Sequence, residues 1–169
     1  MKKIARLLLA GFGLVVSASA VADNGYDLFS GVSLSSVRSY ANGVTNTSAG
    51  LAGILSARRT DKHYGFELQG GYFGRGGQFT PNIEFDLSAI GLLPLGGSGI
   101  NLYGRIGLAD FITHVSSNFA VLTYGAGVEF QSAKSVFRLG WQHFNVGGNV
   151  QPSSTRINVI GVAVLVLQD

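Results

Sequence analysis

After residue 22, apolar and polar positions follow one another with a period of two rather than 3.6. In the run from Tyr64 to Tyr72, Tyr64, Phe66, Leu68 and Tyr72 fall on one side, and Gly65, Glu67, Gln69 and Gly71 on the other. The same alternation recurs over 83–89, 100–108 and 122–130, and with less contrast over 26–37, 48–58, 136–144 and 156–167. Side chains on a strand point alternately to its two faces, so these segments predict eight strands, each with one apolar and one small-or-polar face. No segment after residue 22 is an uninterrupted apolar run long enough for a spanning helix, and none keeps a helical stripe over three turns.

The connections alternate in length: long at 38–47, short at 59–63, long at 74–81, short at 93–99, long at 110–118, short at 131–135 and long at 145–155. This rhythm predicts an all-β fold, an eight-stranded antiparallel up-and-down transmembrane barrel with four longer external loops and three tight turns at the end that carries both termini. A soluble barrel buries its apolar face and shows its polar face to water. Here the glycines and charges share one face, which suits a narrow interior, and Tyr26, Tyr64, Tyr72, Phe130, Phe137 and Trp141 fall near strand ends, as interfacial girdles do. A lipocalin-like soluble barrel with the opposite polarity is the structural alternative. Register supplies a further expectation. A two-residue turn at Ala133-Lys134 opposes Glu129 to Arg138 and Gly127 to Gly140, and a turn centred on Leu95-Gly96 opposes Asp86 to Arg105 and Ser88 to Tyr103.

Composition sharpens this picture. Of the 169 residues, 46% are hydrophobic and only 12% charged, too few charges for an ordinary soluble surface, and the length predicts one domain. The formal charge of +3 comes from Lys2, Lys3 and Arg6 at the N-terminus; beyond them nine basic residues balance nine acidic ones. A balanced chain without a Lys/Arg cluster predicts no nucleic-acid partner. Met1 to Arg6 is basic, Leu7 to Val16 is apolar, and Ser17 to Ala22 is small, with Ala18-Ser19-Ala20 and Ala20-Val21-Ala22 as cleavage sites. Residues 1–22 are therefore read as a signal peptide for export across the inner membrane, and 23–169 as the barrel domain. The apolar core of that segment is too short for the other reading, a spanning helix. The absence of cysteine excludes disulfide scaffolds, CxxC redox sites and Cys-ligated zinc.

The run 124–130, Tyr-Gly-Ala-Gly-Val-Glu-Phe, followed by 136–144, Val-Phe-Arg-Leu-Gly-Trp-Gln-His-Phe, resembles the last hairpin of small outer-membrane barrels. The segment 158–164 resembles their closing strand and 101–107 their fifth. The family is that of outer-membrane protein A, outer-membrane protein X and the opacity-like surface proteins. The resemblance implies a Gram-negative outer-membrane location, contact with outer-membrane lipids and lipopolysaccharide, and insertion by the barrel-assembly machinery. It also implies a structural, surface-exposed role whose loops touch host or environmental ligands. The chain departs from the family by ending Leu165-Val166-Leu167-Gln168-Asp169, where members end on an aromatic residue, and it carries no peptidoglycan-binding domain.

The inner-face charges Glu67, Glu84, Asp86, Arg105, Glu129 and Arg138 form the candidate site, read as a network that fills a narrow lumen, with a small pore as the alternative. Paired carboxylates also suit general acid-base work, but a filled interior admits no substrate. A third reading starts from His143-Phe144-Asn145: lipid A deacylases are outer-membrane barrels of this size with a His-x-Ser pair late in the chain. Asn145 stands where the nucleophilic serine belongs, so hydrolysis would require Ser153 or Ser154 to supply the hydroxyl. The period places His143 with Trp141 on the outer face at headgroup level. His63, His114 and His143 lie too far apart along the barrel to share a metal, and no cofactor is expected. The glycine runs 74–77 and 147–149 lead into no helix and read as loop tips rather than phosphate cradles. The loops, rich in Asn, Ser, Thr and Gly, are the expected ligand-touching surface.

Overall fold

The computed structural model describes residues 25–41, 43–59, 63–73, 83–97, 99–112, 117–146 and 155–168. The expected signal peptide, the loop tips 74–77 and 147–149, His114, Ser153 and Ser154 lie outside them.

Eight antiparallel strands follow one another around a closed barrel: β1 (Tyr26–Ala41), β2 (Val44–Arg59), β3 (Tyr64–Tyr72), β4 (Ile83–Pro94), β5 (Ile100–Ile112), β6 (Ser117–Gln131), β7 (Ser135–Val146) and β8 (Thr155–Leu167). β8 pairs with β1, so the barrel closes without a free edge and its ladders satisfy the strand backbone. A row of partners starting at Asn101 passes through Glu129, Arg138, Ala163, Ser33, Ala52, Gly71 and Glu84, and returns to β5 at Phe111. That displacement of ten residues (111 less 101) is the barrel's shear and corresponds to a strand tilt of about 40°.

The polarity is that of a membrane barrel. Leu34, Leu51, Phe66, Leu87, Ile106, Leu122, Leu139 and Ile160 are exposed on the outer wall, whereas Glu67, Glu84, Asp86 and Glu129 are buried inside. Tyr64, Tyr72, Phe130, Phe137 and Trp141 are exposed outward as the alternation predicts, and Tyr26 is half-buried. Burying the charges while leaving the large aliphatics outside is the reverse of a soluble barrel.

Besides the long loop expected over 110–118, where Phe111 pairs with Asn118 and Ile112 with Ser117 so that four residues join β5 to β6, two expectations about the connections are corrected. The first was a long loop over 38–47. Instead Ala41 pairs with Val44, so only two residues join β1 to β2, and Gly43 takes the positive φ of 75° that a tight hairpin turn demands. Both strands continue as a ladder to this turn, where Tyr40, Val44 and Thr45 are all exposed, so polarity there marks a strand leaving the apolar band rather than a loop. The second concerns the β4–β5 hairpin. Asp86 lies opposite Ala109 and Ser88 opposite Gly107, four residues from the expected pairing with Arg105 and Tyr103. The turn sits further along the chain. Pro94 pairs with Asn101, the Leu95 N–H donates to the Ile100 carbonyl at 2.8 Å, and Gly96 and Gly99 adopt φ of 72° and 71°. A slip of four keeps every side chain on its face, because the strand period is two. The β6–β7 hairpin agrees with expectation: Glu129 opposes Arg138, Gly127 opposes Gly140, and the Ser132 N–H donates to the Ser135 carbonyl at 2.8 Å.

The fold predicts that Leu87→Arg, on the outer wall, destabilises the barrel by about 2–4 kcal/mol in urea unfolding from lipid vesicles. A soluble barrel would show no loss.

Candidate functional site

The interior is built in three tiers. At the end carrying the termini, Phe29, Ile54, Val136, Ala163 and Leu165 form a buried apolar cluster, with Leu167 packed against it. At the loop end, Phe73, Phe111 and Phe144 pack with Val37, Ala109, Val121, Ile157 and Val159. The three phenylalanine rings stand 5.1–6.3 Å apart in tilted or edge-to-face contacts, the geometry aromatic quadrupoles favour.

Between these tiers lie the charges. Arg58 makes a two-pronged contact with Glu129, Nη1 to Oε1 at 2.9 Å and Nη2 to Oε2 at 3.0 Å. Glu129 is shared with Arg138, 3.4 Å away, and Arg138 reaches Glu67 at 2.7 Å. Glu67 meets Arg105 at 3.1 Å, an ion pair without hydrogen-bond alignment, and Arg105 donates to Asp86. One chain of alternating charge thus runs Arg58, Glu129, Arg138, Glu67, Arg105, Asp86. Two of its links cross the lumen: β2 and β6, like β3 and β7, are four strands apart in the ring of eight, and so face each other across it. Amides complete the network. Gln69 Oε1 accepts from Arg105, Asn101 donates to Glu129, and Gln142 donates to Asp86 and Thr123.

Tyr103 explains why glycine is needed beside these groups. Its ring lies 4.4 Å beneath the Arg138 guanidinium, a cation–π contact, and across Gly127 and Gly140. A Cβ on Gly140 would fall on the Tyr103 hydroxyl, and one on Gly127 would meet both the ring and the Leu139 carbonyl. A cavity of about 50 Å³ remains on the β1–β8 side, lined by Ser33, Ser35, Tyr103, Arg138, Gln142 and Gly161. It is polar and roomy enough for a few waters.

All six expected lumen residues are buried inside, and five of them join the ion-pair chain. Asp86 and Arg105 do so off register, Arg105 reaching back along the wall. Glu84 stands apart. Its Oε2 receives only a 3.4 Å contact from Gln69, and its Oε1 has no hydrogen-bond partner. Sequence reasoning missed Arg58. Its even position with Ala52, Ile54 and Ser56 assigns it to the inner face, but two apolar neighbours there dilute the contrast.

The outer face holds a second cluster. His143, Trp141 and Tyr124 pack with centroids 5.0–6.0 Å apart. Asn158 Oδ1 lies 3.3 Å from Trp141 Nε1 and 2.9 Å from His143 Nδ1. An indole N–H only donates, so the amide presents its oxygen and His143 carries its proton on Nδ1. The histidine thus has an orienting partner, as a general base requires, but Asn145 two residues on offers no hydroxyl. Among the described residues no group of three His, Cys, Asp or Glu converges as a metal site.

No family model matches the chain, and no curated protein is similar to it. Solved structures are. Neisserial surface protein A superposes with a TM-score of 0.64 at 14% identity, over 82% of this chain and 96% of its own. Ail, the attachment invasion locus protein of Yersinia pestis, determined in complex with the heparin analogue sucrose octasulfate, superposes with a TM-score of 0.54 at 13% identity, over 83% of this chain and 98% of its own. The chain therefore has the fold of small eight-stranded outer-membrane barrels.

Removing one carboxylate of the ion-pair chain leaves two buried guanidiniums short of a partner, so Glu67→Ala is expected to cost about 3–5 kcal/mol in reversible urea unfolding. Glu84→Gln, which replaces a buried carboxyl that no arginine contacts with an amide of the same shape, is expected to change stability by less than about 1 kcal/mol in the same measurement.

Proposed function

We propose that the protein is an integral outer-membrane barrel of a Gram-negative bacterium with a structural, surface-exposed role and no catalysis. In this reading residues 1–22 direct export and are removed, and the barrel-assembly machinery inserts 23–169. Outer-membrane lipids and lipopolysaccharide surround the barrel. The observation that carries the reading is the inverted polarity of the wall, an apolar outer surface around a charged interior. Contact of the loops with host or environmental ligands belongs to the same proposal, and the sulfated saccharide bound by Ail supports it by analogy of fold.

Two other readings lose support on particular residues. A passive pore needs a hydrated path, whereas the Phe73–Phe111–Phe144 tier and the Phe29–Val136–Leu165 tier close the lumen above and below its charges. A lipid A deacylase needs a nucleophile beside His143, and Asn145 is an amide.

Expressed protein is expected to fractionate with the outer membrane, to shift in SDS gel mobility on boiling, and to give no discrete current steps in planar bilayers. Soluble periplasmic protein without a heat shift overturns the location, and unitary currents overturn the sealed lumen. Loss of ester-linked acyl chains from lipopolysaccharide on expression overturns the absence of catalysis.

A further inference from the structure

The outer wall changes character toward the loop end of β7, β8 and β1. Along β8, Val164, Val162 and Ile160 face outward and exposed, and then come Asn158 and Arg156. Along β1, Val32 and Leu34 give way to Ser36, Arg38 and Tyr40. Register sets these polar groups side by side. Asn158 is opposite His143 on β7 and Arg38 on β1, and Arg156 is opposite Asn145 and Tyr40. Arg38 and Arg156 are therefore diagonal neighbours, about 7–8 Å apart at Cα by sheet geometry. Both are exposed.

Three donors gather here without an anionic partner among the described residues. Among the described residues neither guanidinium makes an ion pair, and the outward carboxylate at this end, Asp110, is on β5, three strands from β8. Asn158 spends its oxygen on Trp141 and His143, which leaves its amide N–H₂ free to donate. Because the strands tilt, a row of register partners climbs toward the loops from β6 to β1, so Arg38 stands above the Tyr124–Trp141–His143 belt. Aromatic belts mark the headgroup boundary, and what lies just above the belt is the layer of anionic headgroups. Two like charges kept side by side at that depth without a protein counter-ion call for an anion from the lipid.

We propose that Arg38, Arg156 and the Asn158 amide form a site for a phosphate of an outer-leaflet glycolipid, the lipid A headgroup of lipopolysaccharide. Its sugar would rest against Tyr40 and its acyl chains would descend along the β7–β8 wall. Guanidinium suits phosphate through paired, charge-assisted hydrogen bonds. The inference rests on the outer-membrane reading, since only that membrane's outer leaflet supplies such a lipid.

The chain has a single tryptophan, Trp141, which borders the site and reports on it. Barrel refolded in detergent and verified by its heat shift is titrated with bisphosphorylated lipid A and with the dephosphorylated lipid while Trp141 emission is followed. The wild-type protein is expected to bind the phosphorylated form about tenfold or more tightly than the dephosphorylated one. The Arg38→Gln/Arg156→Gln variant is expected to bind both alike, and Arg59→Gln, at the opposite rim, to behave as wild type. Equal wild-type affinity for the two lipids overturns the proposal, as does a double variant that still discriminates between them. Competition by inorganic phosphate at concentrations equal to the lipid also overturns it, because the site would then take a free anion. Failure to fractionate with the outer membrane would remove the location while leaving a positive titration intact, so the two readings fail separately.

Discussion

Eight strands close around a space only about one side chain wide, and into that space this chain places three arginines and four carboxylates. Each ion taken from water carries a desolvation cost of several kcal/mol, so the fold holds only if the charges find one another with good geometry. Except for Glu84, they do so along a chain that reaches across the barrel. Arg58 to Glu129 and Arg138 to Glu67 link opposite walls, and Arg105 carries the chain on to Asp86. The rest of the interior is arranged around these links. Gly127 and Gly140 make room for Tyr103 under Arg138, and the amides of Gln69, Asn101 and Gln142 take up lone pairs and protons the ions leave over. The apolar tiers above and below keep the network away from bulk water, which strengthens each pair.

The same alternation that sends charges inward sends leucine, isoleucine and phenylalanine outward. A lipid environment is what reconciles the two faces: the strands pair around a closed ring with no free edge, and the apolar wall needs no protein partner. A cross-lumen network then serves as the core.

Much of this was legible in the chain, and the failures are instructive. Alternation assigned faces well because a residue's face depends only on parity, and the Glu129–Arg138 pairing was readable because a two-residue turn fixes register. The β4–β5 register was not. Gly96, Gly97 and Gly99 allow the turn at more than one place, and an even slip leaves the pattern of faces unchanged. The first hairpin was mistaken for a loop because above the apolar band both faces of a strand are wet and alternation fades. Arg58 escaped notice for a different reason. Parity gives the face of a residue but not its partner on the far wall, which depends on shear and closure, quantities no single strand encodes.

Whether ion pairs across the lumen hold opposite walls together is read from a double-mutant cycle on Arg58 and Glu129. Arg58→Met, Glu129→Gln and the double variant are each unfolded in urea from lipid vesicles. A favourable coupling of about 1–3 kcal/mol between the two positions is expected. Coupling indistinguishable from zero, with the single losses simply adding, would contradict it.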